Sequence, residues 1–378
     1  MSEERSRERT PAVPFVDLSA VHADLRVRIL DEVSNLLEKG DFVNGPAVAR
    51  FEEDFARYCG TRDCVGLSSG LDALRLGLLA LGIGPGHEVV APAHTFVATV
   101  EAVTQTGARP VLVDIGELDY GIDPEAAEAA LTPRTRGLVA VHLYGQMADV
   151  RRLEAVAGKA PDAALVEDAA QAHGAERDRR RAGAVGALGA FSFYPAKNLG
   201  ALGDAGAATT DDAHLARRLR ALREHGQFIK HEHALDGYTA RLDTIQAQVL
   251  LQKLPRLDSW NEQRRGAAAY YDHHLAGVGD LRLPAVPAGS RPVWHLYVVR
   301  TAEPDGLATF LAGRGIRTGR HYPQPIHLAP AFASLGYRKG EFPMAEAAAA
   351  EVLSLPMFPG ISEEQLEAVA SATRDYFD

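Results

Sequence analysis

A mostly parallel α/β fold is expected for this chain, and three features of the sequence point to it. Between about residues 60 and 210, short apolar runs alternate with helix-like segments. The runs are apolar enough to be buried on both sides, like strands of a parallel sheet covered by helices. Around residues 277–292 the composition shifts to Gly and Pro, which sets off a smaller α+β region behind it. The expected organisation is a disordered tail over residues 1–12, a large domain over 13–254 and a small C-terminal domain over 255–378.

The elements follow in order. Cys64–Leu67 is a short apolar piece, and Leu71–Leu81 has the periodicity of a helix. Strands are expected at Glu88–Ala91, Pro110–Asp114, Gly137–His142, Ala164–Glu167, Ala190–Phe193 and Gly206–Thr210. Helices are expected between them, at Ala93–Gln105 and Pro124–Leu131. Asp211-Asp212 caps a helix from Ala213 to His225, which Gly226 closes. Helices follow at Thr244–Lys253, ending at Pro255, and at about Ser259–Leu275. Past the Gly/Pro-rich connection come a strand at His295–Arg300 and a helix at Pro304–Arg314. Strand and turn at Ile316–Tyr322 and a last helix at Glu363–Phe377 complete the chain. Gly82-x-Gly84-x-Gly86 reads as a loop, because a strand follows it where a dinucleotide fingerprint needs one before.

Composition narrows the function. With 378 residues, 46% of them hydrophobic, the chain has enough apolar side chains for a large core. A formal net charge of −10 argues against nonspecific nucleic-acid binding. Met1 to Thr10 is mostly charged or polar and lacks the apolar core of a signal peptide. No run reaches the roughly 18 apolar residues of a membrane span. A cytoplasmic protein without membrane or nucleic-acid partners is expected. Cys59 and Cys64 could pair, but in that compartment reduced thiols are expected. His231-Glu232-His233 and His273-His274 lack the spacing of known zinc sites, so no metal is expected. Asp178-Arg179-Arg180-Arg181 reads as a solvated hairpin turn.

Several residues carry potential chemistry. Phe191-Ser192-Phe193-Tyr194-Pro195-Ala196-Lys197-Asn198 ends an apolar strand, turns at Pro195 and leaves Lys197 among neutral residues. Taken alone, Lys197 is either a solvated loop lysine or a desolvated amine. A desolvated amine is a nucleophile and base that forms Schiff bases with aldehydes. Ser68-Ser69-Gly70-Leu71 opens a helix. It is either a simple Ser cap or an anion cradle in which Ser69, Gly70 and Leu71 hold a phosphate. Asp168 stands at the C-terminal end of a buried strand, where open α/β sheets bind ligands. It is either a helix cap or a carboxylate that keeps a pyridine nitrogen protonated, with Gln171 near the phenolic oxygen of such a ring. Phe96 follows another strand end and is either core or a stacking surface. Ser192 could donate to the phosphate.

Together these motifs resemble the pyridoxal-phosphate sugar aminotransferases of the DegT/DnrJ/EryC1/StrS family. The similarity runs from Val13-Pro14-Phe15 to Leu355-Pro356-Met357 and includes Gly84-Pro85-Gly86-His87-Glu88, His142-Leu143-Tyr144-Gly145-Gln146 and Glu167–Gly174. The resemblance implies the fold type I, aspartate-aminotransferase-like architecture. It also implies pyridoxal 5′-phosphate as cofactor and a homodimer with shared active sites. In it, Lys197 is the lysine that forms the Schiff base with the cofactor and Asp168 partners the pyridine nitrogen. Phe96 stacks on the ring, and Gly70, Leu71 and Ser192 bind the phosphate. Thr239 stands where the family has an Asn that reaches the phosphate of the other subunit. Leu71 and Ala196 are two further departures, where Thr or Met and Gly are common. Arg241 matches a ligand for the donor carboxylate, while His321 and Tyr322 match positions approaching the nucleotide sugar, with Tyr194 beside them.

The implied reaction is ping-pong transamination from L-glutamate to a nucleotide-linked keto sugar in amino-sugar, and hence antibiotic, biosynthesis. Tyr194-Pro195 resembles members acting at C3 of dTDP-3-keto-6-deoxyhexoses. The alternatives are a C4 aminotransferase acting on a dTDP- or UDP-4-keto-6-deoxyhexose, and a non-catalytic nucleotide-sugar-binding regulator, which would need neither Lys197 nor Asp168.

Overall fold

The computed structural model describes residues 12–378, so the tail expected over residues 1–12 lies outside them except for Ala12. Seven strands form the central sheet: β1 (Asp63–Leu67), β2 (Glu88–Pro92), β3 (Arg109–Val113), β4 (Thr135–Val141), β5 (Ala164–Asp168), β6 (Leu188–Ser192) and β7 (Gly206–Thr210). Their order across the sheet is β1-β7-β6-β5-β4-β2-β3. The β2–β3, β2–β4, β4–β5 and β5–β6 pairs are parallel, whereas β7 runs antiparallel to both β1 and β6. The sheet is thus mostly parallel, as expected, with one reversed strand between β1 and β6.

Alternate residues of each strand feed different cores. Val89, Ala91, Val139, Val141 and Val166 pack on one face with Leu74, Leu78 and Leu219. Val90, Leu138, Ala140 and Leu165 pack on the other with Leu153 and Val156. Burial on both faces explains why these strands read as continuous apolar runs. The register sets Val141, Asp168 and Ala190 side by side at the same end of three neighbouring strands.

The helix Pro46–Cys59 starts at a proline and ends where Gly60 adopts φ +83°, signals that mark helix boundaries. It buries Phe51 and Phe55 edge-on against Phe193 and Phe191, with ring centroids 5.3 and 5.0 Å apart. That aromatic box anchors the end of β6 immediately before the turn to Lys197.

Glu167 fixes the neighbouring strand end. Its Oε2 accepts from His142 Nε2 and Gly183 N–H, both at 2.9 Å, and its Oε1 accepts from Val185 and Gly186 N–H at 2.7 and 2.8 Å. Burial alone would push this carboxyl up, but the His142 contact and the backbone donors hold it below the usual carboxylate range. Removing the carboxylate with Glu167→Ala strands four donors in the core. The expected loss is about 3–5 kcal/mol of stability, read from the urea unfolding midpoint.

The C-terminal region packs helix Leu257–Leu275 with Pro304–Gly313 and Glu363–Phe377 around Tyr271, Tyr297, Leu307 and Val369. Its Tyr297–Arg300 strand pairs antiparallel with Val352–Leu355, a strand absent from the expected elements. The expected strand at Ile316–Tyr322 is not formed. That stretch makes single bridges, Ile316 with Val13 and Gly319 with Ser354 of the Val352–Leu355 strand, and no continuous ladder. Asp178 and Arg179, at φ +52° and +64°, form the tip of the expected hairpin. Its arms are less solvated than expected: Arg177 pairs with Asp119 and Asp149, and Arg180 with Glu154. Cys59 and Cys64 are free and buried. No described helix is long and apolar enough to cross a membrane.

Candidate functional site

At the C-terminal ends of β2, β4, β5 and β6 the loops enclose a cavity of about 550 Å³. Eleven of the thirteen site residues read from the sequence line it: Ser69, Gly70, Leu71, Phe96, Asp168, Gln171, Ser192, Tyr194, Lys197, His321 and Tyr322. They reach it from separate parts of the chain because parallel strands all end on one side.

One end of the cavity is a helix start. Ser69 caps the helix Gly70–Ala80, its Oγ accepting from Asp72 N–H at 3.1 Å, while its carbonyl accepts from Ala73 N–H. The N–H groups of Gly70 and Leu71 come earlier than any intrahelical acceptor, and both residues line the cavity. A Cβ on Gly70 would sit 2.7 Å from the Cβ of Ser192, so only glycine lets the serine approach. Ser69 is therefore a helix cap that also lines the cavity. Two backbone donors, two hydroxyls and a helix dipole suit a phosphate dianion.

The same cavity holds the acid. Asp168 is 7% exposed, with Oδ2 accepting from the Thr99 hydroxyl at 2.7 Å and Oδ1 from Ala170 N–H at 3.2 Å. Thr99 was not read from the sequence. It sits in the first turn of the helix that Phe96 caps, so the ring-stacking candidate was its signal. Phe96 is 49% exposed, with its ring 5.5 Å from that of Tyr322. A buried carboxylate and an exposed aromatic face in one cavity would suit a flat nitrogen heterocycle. Gln171 accepts from Tyr144 N–H at 2.7 Å and donates to the Tyr322 hydroxyl at 3.1 Å.

Lys197 lines the cavity from a tight loop. A Cβ on Gly200 would come within 2.2 Å of the Pro195 carbonyl oxygen, so the loop closes hard on itself. Lys253, almost wholly buried, donates from Nζ to the Gly200 carbonyl at 2.5 Å. Burial pulls the Lys197 amine down to about 8, with Asp168 opposing the shift. His321 hydrogen-bonds through Nδ1 to Ser354 Oγ at 2.8 Å, and its ring stacks on Phe15 at 5.5 Å. Burial first, then the Lys197 charge, holds it down to about 4. His295 also lines the cavity, although from the sequence it marked only a strand.

Thr239 and Arg241 do not line this cavity. Arg241 pairs with Glu224 at 2.9 Å, and exposed Thr239 contacts the His225 ring at 3.3 Å. Their strand nonetheless bridges to Leu67 at the end of β1.

Known proteins match this geometry along the whole chain. A transaminase from Streptomyces venezuelae, dTDP-3-amino-3,4,6-trideoxy-alpha-D-glucose transaminase, is 47% identical over 371 residues, covering 98% of each chain. The crystal structure of S. venezuelae DesV in complex with a ketimine intermediate superposes with a TM-score of 0.95 at 46% identity, covering 98% of this chain and 99% of that one. The structure of NtdA from Bacillus subtilis with bound cofactor PMP superposes at 0.90 with 30% identity, covering 99% of this chain and 87% of that one. The cavity's phosphate cradle, acid and amine fit pyridoxal 5′-phosphate, the cofactor of this class. The DegT/DnrJ/EryC1/StrS aminotransferase family model matches residues 23–374, and the chain belongs to that family.

Proposed function

We propose that the protein moves the amino group of L-glutamate to C3 of a nucleotide-linked keto-deoxysugar, with a dTDP-3-keto-6-deoxyhexose as the acceptor class. The observation that carries this reading is the convergence of Lys197 and Asp168 on one cavity with an anion cradle. The 3-amino sugar in the name of the S. venezuelae relative supports C3.

Bound pyridoxal phosphate supplies an electron sink that stabilises negative charge on the carbon next to the reacting nitrogen. The protein does the rest. Gly70, Leu71, Ser69 and Ser192 grip the phosphate, and Asp168 holds a proton on the ring nitrogen. Phe96 shields one face of the ring. Lys197, as a free amine, carries the proton between the substrate carbon and the cofactor C4′. His321, Tyr322 and Tyr194 border the room left for the sugar. Because only the unprotonated amine accepts a proton, the glutamate half-reaction should speed up as pH rises through about 8 and level off above it.

The test is incubation with glutamate and a panel of dTDP- and UDP-linked keto sugars, with NMR of the product. Glutamate alone should bleach the visible absorbance of the holoenzyme. A product aminated at C4 would overturn the regiochemistry, and an unbleached band would overturn the donor.

The site is proposed to be completed by a second copy of the chain. Val27, Leu30 and Leu37 share one face of helix Arg26–Lys39 at 70, 57 and 68% exposure, and Phe42 and Val43 extend that apolar surface. Thr239 and Arg241, turned from their own cavity, are then available to a partner's. Sedimentation should give twice the 40.6 kDa chain mass, and Leu30→Asp with Leu37→Asp should shift it to monomer. The two free, buried cysteines suit a cytoplasmic setting.

A further inference from the structure

We infer that Asn198 locks His295 in a single tautomer and so turns a bare ring nitrogen, Nε2, into the cavity as a hydrogen-bond acceptor for the Lys197 amine. Asn198 follows the lysine in sequence and is 4% exposed. One of its two side-chain polar atoms lies 2.9 Å from the Val293 carbonyl oxygen and 2.9 Å from Asn261 Oδ1. A carbonyl only accepts, so this atom is the amide nitrogen, and both of its hydrogens are used. The other atom is then the oxygen, 3.1 Å from His295 Nδ1. Oxygen brings no hydrogen to that contact, so Nδ1 carries it. Asn261 is oriented in turn by donating to the His173 carbonyl at 2.9 Å.

The ring also stays neutral. Burial, and then the charges of Lys197 and Arg264 with His173 and His321 nearby, press its pKa well below the usual histidine value. With its single proton on Nδ1, the ring presents a lone pair at Nε2. The Nδ1 edge faces Asn198, and the residue lines the cavity, so Nε2 is the edge that opens inward.

A protonated Lys197 has three N–H groups and one proton to deliver. An acceptor that holds a second N–H fixes the direction of the first. His295 acts through Lys197 and is a positioning residue. The inference rests on the aminotransferase reading of this cavity.

Two measurements test it on the holoenzyme. With 15N-labelled histidine, the His295 ring should show a protonated Nδ1 and a bare Nε2, the resonances being assigned by their loss in His295→Asn. A ring protonated at Nε2, or at both nitrogens near neutral pH, overturns the inference. Kinetically, His295→Asn still reaches Asn198 but not the cavity. Its glutamate half-reaction should slow by about ten- to a hundredfold, the scale of one hydrogen bond to a charged group. The pH midpoint of that half-reaction should also fall, because the ammonium loses an acceptor while Asp168, Arg264, His173 and His321 stay in place. His295→Gln, whose amide oxygen reaches the Nε2 position, should recover part of the rate. A normal glutamate half-reaction with a raised KM for the nucleotide sugar would put Nε2 on the sugar and overturn the inference. Should the unaltered enzyme fail to react with glutamate, the donor assignment falls, and the tautomer measurement still decides this one.

Discussion

Lys197→Ala is expected to leave a folded protein whose transaminase turnover is lower by about 10²–10⁴-fold, the range for loss of a positioned acid–base group. The side chain hangs on a loop whose shape is set by other atoms. Its backbone is held by the Tyr194 carbonyl, the close approach of Gly200 to Pro195 and the Lys253 contact. None of these uses the Lys197 amine, so truncation removes the proton carrier and spares the frame. Circular dichroism and thermal unfolding should match the parent, and steady-state rates should not. Full turnover in this variant would sink the role given to the lysine.

Asp168→Asn is expected to lower kcat by about ten- to a hundredfold, the scale of losing one charge-assisted hydrogen bond of roughly 1.5–3 kcal/mol. The amide fits the same space and still meets the Thr99 hydroxyl, now as donor or acceptor. It no longer carries the charge that keeps a ring nitrogen protonated. The loss should fall on both half-reactions, since both draw on the same electron sink. It should appear in kcat more than in KM, because the group acts on the ring rather than on either substrate. A variant with unchanged kcat would remove Asp168 from the ring nitrogen.

Much of this was legible in the sequence, for definable reasons. Central strands buried on both faces write themselves as apolar runs, and the expected β2, β5 and β7 positions agree with the structure to within a residue. The residues proposed to hold the cofactor sit at strand ends and helix starts, where small or polar residues interrupt those runs. Ser69-Gly70 and Asp168 were visible on that ground. Residues that act by contact across the fold left no such mark. Thr99 supports Asp168 from 69 positions away, and His295 meets Asn198 from 97 away. A lone Thr in a helix or His before a strand has no local pattern to betray it. The Val352–Leu355 strand was missed for a related reason. It is four residues long, follows an Ala-rich helix without a break, and exists because Tyr297–Arg300 offers it an edge.

The lysine loop has a consequence for the order in which the chain matures. Its carbonyls and side chains are tied to Lys253, Asn261, Val293 and His295, residues made 56 to 98 positions after Lys197 itself. A nascent chain that has completed the central sheet still lacks those ties, and its lysine hangs on an open turn. Closing of this loop into a site shaped for the cofactor is therefore expected only after the C-terminal region has packed against it.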